Sequence, residues 1–281
     1  MPVGARVARW LEQLRGPPSA ERRKAAERLL DTSEFYFHRG RITSADRLEV
    51  VQSISPLSSN ADTLVRKCIA QLVGLVREWS RDTETVLKQL LADREATVLA
   101  PAVWGTGQIG VPAASLVPAL VRLAPHPDFE VRFRVPWALS EIKLSNSDVV
   151  SALVRLASDE ERTVRMFALD AMAQCNADPS SVFHSVRCAF NDAAEEVQCA
   201  ACRVVAALPH DWSLVEPELW RLFRRHSIDA VRAICNNWPD RIQESEINAW
   251  LQANRGYWWA EDYLSGISRS PLTARAMRKP E

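Results

Sequence analysis

Apolar positions recur along this chain with a period of 33 residues. Each copy begins its apolar stripe with a valine, which we call the anchor valine. The anchor valines are Val65, Val98, Val131, Val164, Val197 and Val231. The last spacing is 34 residues instead of 33. Further apolar residues follow at offsets 4, 7, 8 and 11 from each valine. Because this spacing matches the helical period, each copy is predicted to contain a helix with one apolar face.

A second amphipathic stretch separates each anchor helix from the next, as in Thr83–Leu91 and Asp148–Leu156. Acidic residues precede the stripes and suit helix N-termini, where the dipole is positive: Asp62, Glu95, Asp128, Glu160 and Glu195. Each copy is therefore predicted to be a helix pair. Since one pair cannot bury its own apolar stripe, we expect neighbouring pairs to stack into an all-α, right-handed α-solenoid of about six to seven pairs.

The repeated motif Asp/Glu-x-x-Val-Arg-x-x-Ala-x-x-Ala-Leu-x-x-Ile resembles HEAT repeats, especially the short form found in phycobilisome-lyase-like proteins. The resemblance covers about residues 60–238 and implies a repeat solenoid. It implies no single function, because repeats of this type serve many partners.

Three regions are predicted along the chain. Residues 1–59 are predicted to hold N-terminal helices and a degenerate first repeat with an insertion. The insertion contains the aromatic segment Phe35–Arg41, which is interpreted as a local packing cap or, alternatively, as a contact loop. Residues 60–255 form the repeat solenoid. Residues 256–281 supply an aromatic cap that covers the last repeat, followed by a mobile tail over Ser268–Glu281.

Composition places the chain among globular proteins, with 47% apolar and 25% charged residues and equal numbers, 35 each, of basic and acidic side chains. The neutral balance disfavours nucleic acid as a partner, although a local basic face would be enough for it. We expect no membrane association and a cytoplasmic location, because neither a signal peptide nor an apolar span is evident.

Six cysteines fall within apolar helical patterns, which favours free, buried, reduced thiols. Cys199 and Cys202 have the spacing of a metal or redox pair, but no second pair completes a zinc set. Gly105, Gly107 and Gly110 match the dinucleotide fingerprint G-x-G-x-x-G, yet they fall at the end of a predicted helix, with Gly110 placed as its C-terminal cap. We therefore expect no cofactor and no metal.

Offsets 2, 6 and 9 point away from the apolar stripe of each anchor helix. The resemblance implies that this helix lines the concave surface, so these side chains should face a groove, Gly74 and Gly107 among them. Trp104 and Trp137 share offset 6 and should lie side by side, with Asp170 and Arg203 continuing the row. The candidate partner-binding residues are Gln71, Trp104, Phe133, Trp137, Met166, Asp170 and Arg203. Alternatively, tight curvature of the solenoid buries them against neighbouring helices.

A row of arginines occupies offset 1, at the side of each helix: Arg66, Arg132, Arg165 and Arg232. This row is interpreted as a ladder of bonds to acidic helix starts, or alternatively as a stripe that faces phosphates.

The sequence favours a non-enzymatic scaffold that binds a protein or peptide through an aromatic concave groove. The histidines lack metal-ligand spacing, and no nucleophile elbow or P-loop occurs. One alternative is a HEAT-like alkylpurine DNA glycosylase or another DNA-repair protein, because those glycosylases place Trp and Asp side chains of a concave groove against a damaged nucleotide, and the predicted groove here also holds Trp and Asp. The paired-Trp-then-Asp pattern of that family is not matched at the groove offsets; the nearest such string, Trp258–Asp262, lies at the C-terminal end. A second alternative, on repeat type alone, is a bilin-lyase-like protein.

Overall fold

The computed structural model describes residues 43–225 and 227–238, with a few isolated residues nearer the two ends. Within these ranges the chain forms twelve α-helices and three short 3₁₀ helices, and no strand. The all-α prediction is therefore confirmed. The chain divides into two compact units, Met1–Leu156 (unit 1) and Ala157–Glu281 (unit 2). The boundaries predicted after residues 59 and 255 are a different division and stay predictions.

Unit 1 contains seven described helices, three of which carry anchor valines and pack on one another in sequence, α2 on α4 and α4 on α6. The helices of unit 1 are α1 (Ser44–Ile54), α2 (Thr63–Val76), α3 (Arg81–Leu90), α4 (Ala96–Ile109), α5 (Val117–Leu123), α6 (Phe129–Ile142) and α7 (Ser147–Leu156). Two 3₁₀ helices, Ser55–Leu57 and Val111–Leu116, lie in the connections.

Unit 2 repeats the arrangement with five described helices, in which α8 packs on α10 and α10 on α12. They are α8 (Arg162–Gln174), α9 (Pro179–Ala189), α10 (Glu195–Ala207), α11 (Glu216–Phe223) and α12 (Ile228–Asn237), with a 3₁₀ helix at Ser213–Val215. All six anchor valines are buried. The apolar stripe predicted from the 33-residue pattern is thus the core of each unit.

Helix ends follow the repeat as well. Asp62 and Asp128 accept hydrogen bonds from the backbone N–H groups of Leu64 and Glu130, as expected for N-caps. The other three predicted helix starts differ. Glu95 is the N-cap residue of α4 but its side chain caps no N–H group, and the N-cap residues of α8 and α10 are Glu161 and Ala194 instead of Glu160 and Glu195.

The position twelve residues after an anchor valine has a positive φ in four successive copies: Arg77 (51°), Gly110 (73°), Lys143 (58°) and Asn176 (52°). Gly110 combines its φ with a ψ of −139°, a conformation essentially restricted to glycine. Its predicted role as the C-terminal cap of α4 is confirmed, and its N–H donates to the carbonyl of Thr106.

Three arginines of the offset-1 row, Arg66, Arg132 and Arg165, bind groups within their own unit. Arg66 Nε donates to Asp93 at 2.6 Å, and Arg165 Nε donates to Asp192 at 2.7 Å, in each case across 27 residues. Arg132 is buried and donates to the backbone carbonyls of its own preceding turn. Arg66 and Arg165 therefore bind acidic side chains, as the ladder interpretation predicts, although the acceptors Asp93 and Asp192 lie a few residues before the predicted acidic starts Glu95 and Glu195.

The ladder predicts a loss of stability in acid. Burial raises the pKa of Asp93 and Asp192, but the hydrogen bonds and charges of Arg66 and Arg165, together with hydrogen bonds from backbone N–H groups, outweigh it, so both pKa values lie below the usual range. A carboxyl with a lowered folded-state pKa stabilises the fold above its unfolded pKa, and this contribution is lost as the pH falls from about 4. Urea unfolding between pH 7 and pH 3 should therefore show a falling midpoint, less steep in an Asp93→Asn/Asp192→Asn variant. An equal slope in the two proteins would contradict this role.

Candidate functional site

The two predicted groove tryptophans rest on glycines of the preceding anchor helix. A Cβ placed on Gly74 of α2 would lie 2.5 Å from Cζ3 of Trp104 on α4. In the same way, a Cβ on Gly107 of α4 would lie 2.5 Å from Cζ3 of Trp137 on α6. Each indole edge therefore occupies the space that any other residue would need for its side chain, and the same contact is made twice, one repeat apart.

These glycines do not face a groove as the offsets predicted. Gly74 and Gly107 are buried, because the indole rings cover them. Gly105 has a related role at the crossing of α2 and α4, where its Cβ would lie 3.0 Å from the carbonyl oxygen of Ala70. The fingerprint glycines Gly105 and Gly107 lie within α4, as predicted, and they allow close helix packing.

Four predicted site residues lie on the three anchor helices of unit 1. Gln71, Trp104, Phe133 and Trp137 are all half-buried, and we call this set the aromatic shelf. Phe133 and Trp137 lie one turn apart on α6, and the guanidinium carbon of Arg134 lies 6.0 Å from the centre of the Phe133 ring. The shelf residues are therefore neither sealed in the core nor freely solvated, and the glycine contacts hold the two indoles in place.

The other three predicted residues lie in unit 2, where two of them bind each other. Arg203 on α10 donates to both carboxylate oxygens of Asp170 on α8, from Nε at 2.8 Å and from the second terminal nitrogen at 3.0 Å. Its remaining terminal nitrogen donates to Asp229 on α12 at 2.9 Å. Burial alone lowers the pKa of Arg203, but the bonds and charges of the two aspartates outweigh it and raise the pKa above its usual value.

This three-helix network shows that offset 6 forms a registered row within unit 2, since Asp170 and Arg203 are 33 residues apart. Sequence reasoning missed Asp229, which lies two residues before an anchor valine and outside the groove offsets. The network joins α8, α10 and α12, so Arg203 has a clear structural role in unit 2.

A cleft of about 490 Å³ opens beside this network. It is lined by Met166, Glu195, Glu196, Cys199 and Arg203. Met166 and Arg203 were predicted as partner contacts, whereas Glu195 was predicted only as an acidic residue at a helix start and Glu196 was not predicted at all. The guanidinium of Arg203 already faces two aspartates, so carboxylates dominate the charge around the cleft.

Five of the cysteines are partly or fully buried, whereas Cys188 is exposed, so the prediction of buried thiols is wrong for Cys188. Burial raises the pKa of the other five thiols. The pKa of Cys68 reaches about 12, and those of Cys175 and Cys235 reach about 11. Cys199 and Cys202 follow the same direction for the same main cause. In the part of the chain that is described, no group of three or more His, Cys, Asp or Glu side chains is placed to hold a metal ion.

Three predicted segments lie outside the described residues: the aromatic segment Phe35–Arg41, the aromatic string Trp258–Asp262 and the tail Ser268–Glu281. No helix among the residues that are described is both long enough and apolar enough to cross a bilayer. The cytoplasmic location stays a prediction.

Residues 83–173 match the family described as HEAT repeats. The match names HEAT repeats in general, so the resemblance to the short phycobilisome-lyase-like form stays a prediction. No curated protein matches the chain significantly.

Three solved structures illustrate the likeness of fold. A designed armadillo repeat protein in complex with the peptide (KR)4 is 19% identical, with a TM-score of 0.56 over 72% of this chain and 99% of that protein. A computationally designed armadillo repeat protein for modular peptide recognition is 19% identical, with a TM-score of 0.52 over 72% and 100%. YibA of Escherichia coli is 15% identical, with a TM-score of 0.61 over 83% and 81%. Residues 83–173 thus match HEAT repeats, and the chain has the fold of a HEAT- or armadillo-like repeat protein.

Proposed function

We propose that the chain is a non-enzymatic scaffold and that unit 1 binds a protein or peptide on the aromatic shelf. The observation that carries the proposal is the pair of half-buried indoles, each held on a glycine of the preceding helix. A tryptophan that only filled the core would be covered by its neighbours. Trp104 and Trp137 are instead only half-buried, at the same offset of successive repeats.

Rigid aromatic side chains suit a binding surface for a physical reason. Tryptophan contributes a large contact area, and binding energy at interfaces concentrates on a few such residues. A ring that is already fixed loses little conformational entropy when a partner arrives. The contacts of Trp104 with Gly74 and of Trp137 with Gly107 provide this fixation before binding.

The comparisons support a peptide as the kind of partner. Two of the similar structures are designed armadillo repeat proteins, one in complex with the peptide (KR)4 and one made for modular peptide recognition. By analogy of fold, an extended peptide segment is our first choice for the shelf. Met166 and the carboxylates of the unit 2 cleft are a second proposed contact surface, suited to basic side chains, while Asp170 and Arg203 support it structurally.

A selection from a phage-displayed library of random peptides tests the proposal on the full chain. We expect peptides that bind the wild type, and a Trp104→Ala/Trp137→Ala variant should bind them at least about thirtyfold more weakly, because each indole contributes about 1 kcal/mol or more. Fluorescence anisotropy of the labelled peptides measures the change.

Trp220→Ala is the matched control, since Trp220 is a half-buried tryptophan of unit 2 that bonds to Glu216. It should leave peptide binding unchanged. Trp104→Phe and Trp137→Phe keep a ring over each glycine and should weaken binding less than alanine, with an unchanged circular dichroism spectrum. Equal binding by the wild type and the double alanine variant, or a selection without binders, would refute the proposal.

A further inference from the structure

The cleft of unit 2 combines an apolar wall with an excess of negative charge. Met166 and Cys199 contribute thioether and thiol surface, and Glu195 and Glu196 contribute carboxylates. The fifth lining residue, Arg203, already binds two aspartates, so its positive charge is balanced from behind. The cleft volume of about 490 Å³ lies within the range of about 300–1,000 Å³ that is typical of ligand sites. Such a cleft suits a long side chain with an apolar stem and a cationic head.

The two glutamates of the cleft are weakly neutralised by the described part of unit 2. Glu196 lies 3.7 Å from Arg162, and the two side chains are 54% and 66% exposed. An ion pair with this exposure contributes little, because water and salt screen it. Glu195 begins α10, and among the described residues nothing forms an ion pair or a hydrogen bond with its side chain. Both carboxylates can therefore bind a further cation.

Unit 2 also contains a basic segment, the tail Ser268–Glu281, which lies outside the described residues. Against the single acidic residue Glu281, the tail carries Arg269, Arg275, Arg278 and Lys279. Residues 239–268 connect it to α12, and a connection of this length can reach at most about 100 Å. Because α12 packs on α10, which carries the two glutamates, the connection is long enough to bring the tail to the cleft.

We propose that the cleft binds the tail of the same chain, with the basic side chains of residues 275–279 against Glu195 and Glu196. The aliphatic stems of these side chains pack on Met166, and their charged heads donate hydrogen bonds to the carboxylates. The covalent connection gives the tail a high effective concentration at the cleft, so a weak contact is populated. The tail then competes with any basic partner for this second contact surface. This binding rests on the proposed preference of the cleft for basic side chains and is independent of the aromatic shelf.

Crosslinking of the full chain with a water-soluble carbodiimide tests the proposal, because this reagent joins an amine to a carboxylate that it contacts, without a spacer. We expect mass spectrometry after proteolysis to find Lys279 joined to Glu195 or Glu196. Raising the salt from about 0.1 M to about 1 M shortens the Debye length from about 10 Å to about 3 Å and should lower the yield at least about threefold. A mixture of ¹⁵N-labelled and unlabelled chains should give crosslinked peptides of a single isotope. Pairs of mixed isotope would place the tail on a second copy and overturn the proposal.

A charge-reversed tail gives the matched comparison. Arg275→Glu/Arg278→Glu keeps Lys279 but places like charges opposite the glutamates, so the crosslink yield should fall at least about fivefold. Arg81→Glu/Arg94→Glu reverses two exposed arginines of unit 1 and should leave the yield unchanged. Equal yields in the two variants would show that the basic side chains of the tail do not direct the contact.

Alkylation of two cysteines provides a readout that does not depend on crosslinking. Cys199 lines the cleft, whereas Cys188 is exposed on α9 and serves as the internal reference. A bound tail covers Cys199, so Arg275→Glu/Arg278→Glu should raise its alkylation rate relative to Cys188 at least about twofold. An unchanged ratio of rates, or the absence of the Lys279 crosslink in the wild type, would overturn the proposal. Failure of the peptide selection on the aromatic shelf would leave both expectations unchanged.

Discussion

Replacing Arg203 with methionine is expected to lower the free energy of unfolding by about 3 kcal/mol. The Arg203 side chain is 30% exposed, and its partners Asp170 and Asp229 are 20% and 12% exposed. Methionine keeps the aliphatic stem but leaves two largely buried carboxylates without their guanidinium. Breaking such a network by removing one partner costs more than the network contributes, because the remaining charges stay desolvated. Urea unfolding monitored by circular dichroism measures the loss.

Two further variants make the test specific. Arg162→Met removes an arginine that is 66% exposed and lies 3.7 Å from Glu196, so its stability should be within error of the wild type. Arg203→Lys keeps the charge but not the two-pronged bond to Asp170, so an intermediate stability is expected. If Arg203→Met were as stable as Arg162→Met, the three-helix network would not stabilise unit 2 as expected here.

Replacing Gly107 with alanine is expected to destabilise the chain by about 1–2 kcal/mol, although alanine favours a helix by about 1 kcal/mol over glycine. The new methyl group would lie 2.5 Å from Cζ3 of Trp137 and 3.0 Å from the Cα of Ala138. The indole must then leave its position over Gly107, and α6 must shift slightly. Thermal and urea unfolding of the variant measure the change.

A double-mutant cycle identifies the indole as the cause. In a Trp137→Ala background the ring is gone, so the cost of Gly107→Ala should fall by at least about 1 kcal/mol. The backbone contact at Ala138 remains in both backgrounds and cancels in the cycle. Additive effects of the two substitutions would show that Trp137 does not rest on Gly107.

The repeat pattern was sufficient to predict the helix pairs. The anchor valines recur every 33 residues with a helical period inside each copy, and an apolar stripe of that kind has to be buried against its neighbours. Bonds from the offset-1 arginines to acidic side chains were also predicted, but the aspartates that accept them, Asp93 and Asp192, were not among the acidic helix starts that the sequence indicated.

The details of the candidate site could not be predicted in the same way. A helical offset gives the direction of a side chain but not the distance to the next helix, so it placed Gly74 and Gly107 in an open groove when the indoles cover them. The bond between Arg203 and Asp229 depends on how α10 packs on α12, and no offset rule indicates it. Nothing in the spacing from Val131 to Val164 marks the division between the two units.

If the aromatic shelf receives a partner, ¹⁹F NMR of the chain labelled with 5-fluorotryptophan detects this most directly. Trp104→Phe, Trp137→Phe and Trp220→Phe variants assign the three resonances. On addition of a selected peptide, the resonances of Trp104 and Trp137 should shift together while that of Trp220 stays unchanged. Saturated peptide binding that leaves the Trp104 and Trp137 resonances where they were would contradict the claim.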